Sequence, residues 1–265
     1  MLVRSCIANG DPHYITFDNK VYNFMGACRY VQVTDYCNFS GGKGPLGQFK
    51  VIADNELCGR SVSCVRAVDV IIGGHTIHLT RGSSSPAPKN EAEYSVTMEG
   101  GYVVVRTKPA GLTVKWDMNM ILSTQLDGRF RGKVCGLCGN FDGNANNDFT
   151  MSNGQVTGDV NTFGQTWQAG GKCGAPTTPQ HPCEQHPGRR QEAIKDCSVI
   201  KSDAFKTCKA VMNVEPMYHN CVYDVCAGTS VSMKDSSCEA IKAASLICKQ
   251  KTGKGVSWGH LEQKC

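Results

Sequence analysis

Sixteen cysteines in 265 residues constrain this chain more than any other feature. So many thiols are a liability in a reducing cytosol, and an even number suits closure into eight bridges. The chain is therefore expected in an oxidising, extracellular compartment. Metal binding is the rival use of cysteine, but only one CxxC occurs, at Cys135 and Cys138, and no second pair or finger-spaced His accompanies it. Zinc sites need that second pair, so disulfides are the stronger reading. No apolar run approaches bilayer length, which predicts no membrane insertion. The opening Met1-Leu2-Val3-Arg4-Ser5-Cys6 carries no apolar export segment, so the chain is read as a piece of a longer secreted parent.

The cysteines divide evenly around the Pro-rich stretch 175–182. Eight precede it, from Cys6 to Cys173, and eight follow it, from Cys183 to Cys265. Each set can close on itself, as two folding units require. This predicts one domain over 6–174, a linker over 175–182 and a second domain over 183–265. Apolar residues at 40% and charged residues at 19% give a globular composition for both. The net charge of +5 comes without a run of basic residues longer than Arg189-Arg190, which argues against a nucleic-acid partner.

The two parts differ in period. Tyr14–Phe17, Tyr30–Val33, Phe49–Ile52, Val68–Ile72, Thr76–Leu79, Tyr102–Val105 and Leu112–Trp116 are short β-branched and aromatic runs, with turns such as Gly73-Gly74 and Gly100-Gly101 between them. That pattern predicts a mainly β first domain, an antiparallel sandwich or barrel. After residue 183 the spacing lengthens: Ala193, Ile194, Cys197 and Ile200, then Cys238, Ile241, Ser245 and Cys248, recur every three to four residues. This predicts a small α-helical domain whose buried faces carry the cysteines.

Specific motifs go further. The chain opens with Cys6-x3-Gly10-Asp11-Pro12-His13-Tyr14-x-Thr16-Phe17-Asp18, then Tyr22-x-Phe24-x-Gly26-x-Cys28-x-Tyr30. Later it runs Val134-Cys135-Gly136-Leu137-Cys138-Gly139-Asn140-Phe141-Asp142-Gly143 and Asn147-Asp148-Phe149. Over residues 6–173 this resembles the von Willebrand factor type D domain. The second part, with Pro216 ahead of Tyr218-x2-Cys221-x4-Cys226 and the closing Cys238, Cys248 and Cys265, resembles the C8 module that follows it. The family includes von Willebrand factor, gel-forming mucins, the IgG Fc-binding mucus protein, zonadhesin and the tectorins. The resemblance implies a structural or interaction module, not an enzyme. Its partners would be other extracellular proteins or glycans, or other D assemblies of the same parent.

Within the motifs, Asn140, Asp142, Asn144, Asn147 and Asp148 place oxygen atoms at near-alternate positions of a Gly-containing loop. A hard cation wants six to eight such oxygens, which points to Ca2+. The Glu that would close an EF-hand loop is absent. The resemblance supplies a remote carboxylate at Asp18 and gives Asn144 a main-chain carbonyl role. The competing reading is an Asn/Gly turn with self-capping side chains.

In several family members the Asp–Pro bond of a Gly-Asp-Pro-His sequence cleaves itself, which here implicates Asp11, Pro12 and His13. The Asp carboxyl can attack its own peptide carbonyl, proline nitrogen leaves as a tertiary amide, and His13 can donate or position a proton. The resulting anhydride reacts with water or with an amine, giving a crosslink in the second case. The alternative is a conformational role, with Pro12 fixing the entry to the first strand.

The resemblance also implies the pairs Cys6–Cys138, Cys28–Cys173, Cys37–Cys135 and Cys58–Cys64, then Cys183–Cys226, Cys197–Cys221, Cys208–Cys248 and Cys238–Cys265. Such pairing opposes thiol–disulfide exchange at Cys135 and Cys138, and leaves no cysteine for covalent multimerisation. Asn38-Phe39-Ser40 is an N-glycosylation sequon beside Cys37. The seven histidines, at 13, 75, 78, 181, 186, 219 and 260, are scattered, and solvated positions compete with a pH-sensing role.

Overall fold

A computed structural model describes residues 2–10, 12–37, 48–58, 62–81, 93–107, 111–170, 173, 181–228 and 233–259, apart from the side chains at 233, 234, 235 and 250. Asp11, Asn38, residues 175–180 of the linker, His260 and Cys265, all singled out above, lie outside the described residues. Backbone contacts divide the chain into two units. The first holds Met1–Ala8, Pro12–Leu57 and Ser63–Thr177, and the second holds Thr178–Cys265 with the short segments Asn9–Asp11 and Cys58–Val62.

The first unit is built on β1 (Val3–Asn9), β2 (His13–Ile15), β3 (Val21–Asn23), β4 (Arg29–Thr34), β5 (Phe49–Leu57), β6 (Ser63–Ile72), β7 (His75–Thr80), β8 (Tyr94–Glu99), β9 (Tyr102–Thr107), β10 (Leu112–Trp116) and β11 (Ile121–Asp127). Seven strands form one sheet in the order β3-β2-β1-β11-β10-β9-β8, and four form another in the order β4-β5-β6-β7. The hairpins β6–β7 and β8–β9 turn at Gly73-Gly74 and Gly100-Gly101, and both are antiparallel. Side chains alternate as the pleat demands. In β10, Leu112, Val114 and Trp116 are buried while Thr113 and Lys115 are half-exposed. Trp116, Tyr14, Phe49, Val68 and Leu122 belong to one apolar cluster drawn from both sheets, so the unit is a sandwich. Each fully buried aromatic contributes about 4 kcal/mol of gross hydrophobic stabilisation.

The run Tyr14–Phe17 stays in a strand only to Ile15. Thr16 ends it because its N–H bonds Lys20 O at 3.0 Å and its hydroxyl accepts from Lys20 N at 2.9 Å, which closes a turn. Asn19 takes the left-handed conformation there, with φ 71°. A second departure lies after β11. Residues 134–138 run along the outer edge of β4: Thr34 and Cys135 exchange N–H···O bonds of 2.9 and 3.0 Å, and Leu137 and Cys138 donate to Val31 O and Gln32 O. Gly136 lies against Gln32 with φ 129°, and a Cβ there would stand 2.6 Å from the Gln32 carbonyl oxygen. Only glycine fits both the space and the dihedral.

Disulfides fix these pieces. Cys6 of β1 is bonded to Cys138, Cys37 to Cys135 and Cys28 to Cys173. Cys58 and Cys64 are also disulfide-bonded. The two cysteines of the CxxC are thus bonded to partners outside the motif, and both are buried.

A short α1 (Val160–Thr166) completes the first unit. The second unit is helical: α2 (Pro182–Gln185), α3 (Pro187–Cys197), α4 (Lys206–Lys209), α5 (Glu215–Ala227) and α6 (Met233–Thr252). Helices shorter than about 12–15 residues are marginal alone, and all of these but the 20-residue α6 are that short. Here Cys183–Cys226 ties α2 to α5, Cys197–Cys221 ties α3 to α5, and Cys208–Cys248 ties α4 to α6. Cys238 is also disulfide-bonded. The α5 helix begins with Pro216 in its first turn and stops at Gly228, which is left-handed at φ 64°.

Candidate metal centre

The candidate site joins the Thr16–Lys20 turn to the loop that follows Cys138. Because Cys138 is bonded to β1 and its carbonyl accepts from Phe17 N at 3.2 Å, the loop and the turn are held side by side. Phe17 packs on Phe141 with ring centroids 5.3 Å apart, and the Lys20 ammonium both donates to Ala145 O and lies over the Phe149 ring.

Within the loop, short polar side chains organise the backbone. Asp142 N donates to Asn140 Oδ1, and Asp142 accepts from Asn144 N through Oδ1. The Asn140 and Asn147 amides both donate to Asp142 Oδ2, at 3.0 and 2.6 Å. Asn144 caps the helical turn Ala145–Asn147, and its carbonyl accepts from Asn147 N. The self-capping turn is therefore present. It leaves something over.

Asp148 is fully buried. Its Oδ2 accepts from the Thr16 hydroxyl at 2.6 Å, and its Oδ1 has no hydrogen-bond partner. Gly139 at φ 76° approaches so closely that a Cβ there would lie 2.1 Å from that Oδ1. Asp18 Oδ2 and Asn147 Oδ1 are likewise buried without a partner. By hydrogen-bond geometry three oxygen acceptors are thus buried without a donor, at residues that the sequence marks as cation ligands, although the Asn140 main-chain N–H still favours the charged Asp148 carboxylate. Such groups cost about 1–3 kcal/mol each unless something satisfies them. Burial, followed by the charges of Asp18 and Asp142, pushes the Asp148 carboxyl up to about 6. Among the described residues, no group of three or more His, Cys, Asp or Glu side chains is gathered for a metal ion. A cation here would depend on Asn and main-chain oxygens as much as on carboxylates, a donor set that would suit a hard ion better than zinc.

The raised carboxyl has a direct consequence in calcium-free buffer. A group with a raised folded pKa contributes its stability in full below its unfolded value, near 4, and loses it as pH rises through about 6. The chain in chelator is expected to gain about 1 kcal/mol from this group between pH 7 and pH 5. Thermal unfolding compared with an Asp148→Asn variant isolates the effect, since the variant lacks the titration. Parallel curves for the two proteins would show that Asp148 does not titrate there.

Thr16 was not singled out by its chemistry in the sequence, although it stands in the opening motif. Its hydroxyl bridges the turn to Asp148. The other motif residues are placed as follows. Pro12 is buried, and His13 is buried with Nδ1 2.8 Å from Asn23 Oδ1, its cross-strand neighbour. His78 Nδ1 lies 2.5 Å from Asp69 Oδ1 on the four-stranded sheet, and His219 lies 3.6 Å from Glu215 on α5.

Known proteins resemble this chain in sequence. The family model for the von Willebrand factor type D domain matches residues 6–155, which hold both halves of the site, and the C8 domain model matches residues 196–265. Mucin-5AC of Homo sapiens is 35% identical over 261 residues, covering 97% of this chain and 4% of the mucin. Mucin-2 of Mus musculus is 35% identical over 92% of the chain and 5% of its own length. SCO-spondin of Gallus gallus is 33% identical over 96% of the chain and 5% of its own length. The chain therefore spans about a twentieth of these relatives. None of the three bears an enzyme's name. Among the described residues no helix is long and apolar enough to cross a membrane. With one model matching the β unit, another the helical unit, and mucins aligned across both, this chain belongs to the von Willebrand factor type D domain family, with a C8 domain following.

Proposed function

We propose that the chain is a calcium-stabilised, disulfide-bonded structural and interaction module of a secreted adhesive, mucus-forming or matrix glycoprotein. The observation that carries the calcium reading is the set of three buried oxygens, on Asp18, Asn147 and Asp148, that accept no hydrogen bond. With main-chain oxygens of the same loop they fit a hard divalent ion. Bound calcium would supply positive charge that relieves the repulsion among Asp18, Asp142 and Asp148. The residues of the chain do the rest: Thr16 aims the Asp148 carboxylate, Gly139 lets the backbone approach it, and Lys20 holds the loop through Ala145 O. The role is structural, since the loop begins at Cys138 and thereby fixes the segment along β4. The dense disulfides and the mucin relatives support secretion, with extracellular proteins, glycans or further D assemblies as partners. Calorimetric titration of the calcium-free chain with calcium chloride tests the reading. One site with a dissociation constant of about 0.1–1 mM is expected, and no binding at about 10 mM would defeat it.

A second reading, self-cleavage at Asp11–Pro12, is favoured by the burial of Pro12 and by the bond from His13 to Asn23. That bond fixes the orientation of the His13 ring. Cleavage would release the piece ending at Asp11, eleven residues of this chain plus any parent sequence ahead of them, still tied through Cys6 to Cys138. Electrophoresis should then show one band before reduction and the separated pieces only after it. An uncut chain under both conditions removes the reading. Exchange at Cys135 and Cys138 is the weakest alternative, because both sulfurs are buried in bonds to other cysteines.

A further inference from the structure

Two lysine-bearing, acid-free stretches of the helical unit are joined by a disulfide. Residues 204–214 contain Lys206 and Lys209 and no Asp or Glu, and residues 240–259 contain Lys242, Lys249, Lys251 and Lys254 and again no acid. The Cys208–Cys248 bond joins these two acid-free stretches with a Cα–Cα distance of 5.4 Å. Lys209 and Lys249, each one residue beyond a bonded cysteine, therefore have Cα atoms within about 13 Å of each other. Lys206, Lys209, Lys249 and Lys254 are all exposed. Asp203 faces Lys209 at 3.8 Å and belongs to the turn just before α4.

Helix C-termini attract lysine, and this accounts for Lys206 and Lys209 of α4 and for Lys249 and Lys251 of α6 taken singly. It does not account for the missing acids in both stretches, nor for the covalent bond that brings the two together. Ammonium groups that lie within about a Debye length of one another reinforce one another's potential and attract a multivalent anion far more than a single charge. Lysine binds as a flexible point charge and selects density of negative charge over a particular planar geometry.

We propose that the face formed by Lys206, Lys209, Lys249 and Lys254 binds polyanionic glycans, whose negative charge comes from sulfate or from sialic acid. The proposal rests on the extracellular reading above and is independent of calcium. Its failure would leave the calcium titration untouched, and the reverse holds too.

The test uses the full chain on immobilised heparin and on immobilised polysialic acid at about 150 mM salt, close to one Debye length of 8 Å. A triple variant, Lys206→Gln with Lys249→Gln and Lys254→Gln, is compared with a control of equal net charge, Lys115→Gln with Arg190→Gln and Lys195→Gln. Lys209 is left intact because it donates to Lys201 O. The unaltered chain and the control should be retained on at least one resin, and the patch variant should bind at least about tenfold more weakly. Retention on heparin alone identifies sulfate as the source, retention on polysialic acid alone identifies sialic acid, and both outcomes support the proposal. Absence of binding by the unaltered chain overturns it, as does equal weakening of both triples, and so does equal retention on immobilised polyglutamate. Circular dichroism of each variant checks that the helices persist.

Discussion

Replacing Cys6 and Cys138 together by serine is expected to lower the stability of the β unit by about 4 kcal/mol. The bond spans 132 residues in sequence, and with Cys37–Cys135 still closed its loss releases a loop of about 35 residues in the unfolded chain. It also frees the segment along β4 and the loop that faces Thr16, so the native state is affected as well. Replacing Cys197 and Cys221, separated by only 24 residues, should cost less, about 3 kcal/mol. Urea unfolding followed by tryptophan fluorescence reads the first change, because Trp116 and Trp167 are buried in the β unit. Far-UV circular dichroism reads the second. An equal or reversed order of the two effects would show that loop closure does not govern the contribution of these bonds.

The second large effect concerns calcium. At a calcium concentration about a hundredfold above the dissociation constant, binding to the folded state alone should stabilise the chain by about 2.7 kcal/mol. Asp148→Asn should abolish that gain. In chelator at neutral pH the same variant should be at least as stable as the unaltered chain, because the repulsion from Asp18 and Asp142 is gone and the amide oxygen still accepts from Thr16. The opposite signs in the two buffers distinguish a cation site from a structural hydrogen-bond network, which would be weakened in both. Equal calcium stabilisation of the two proteins would place any bound ion elsewhere.

Much of this architecture is legible in the residues themselves, and the missing parts have physical causes. Alternation marks β10, where Leu112, Val114 and Trp116 face the core. It fails for β11, a central strand, because Ser123 and Thr124 are buried there beside Ile121 and Leu122. Thr124 is accommodated by donating to Gln32 Oε1 at 2.7 Å, a partner 92 residues away that no local pattern reveals. β3 is only three residues long and partly exposed, so it carries too few side chains to show a period. In the helical unit the period revealed α3 and part of α6. The α5 helix is buried on more than one side, from Met217 through Val222 to Cys226, and a helix without a polar face reads poorly as amphipathic. At the candidate centre the oxygen-bearing residues stand out by their spacing, yet the pairing of Thr16 with Asp148 spans 132 residues and belongs to the tertiary structure alone.

The segment lying along β4 also bears on association. A strand edge with open N–H and C=O groups is a template on which another chain can add, and this is how fibrils begin. Along β4 the carbonyls of Val31 and Gln32 and both groups of Thr34 are already taken by residues 135–138, and Val31 N donates to Trp167 O. The covering strip is anchored at both ends by sulfur, so an invading strand would face covalent bonds where it would otherwise displace only hydrogen bonds. A molecule concentrated to high density can thus keep this edge closed to its neighbours for as long as its surroundings stay oxidising.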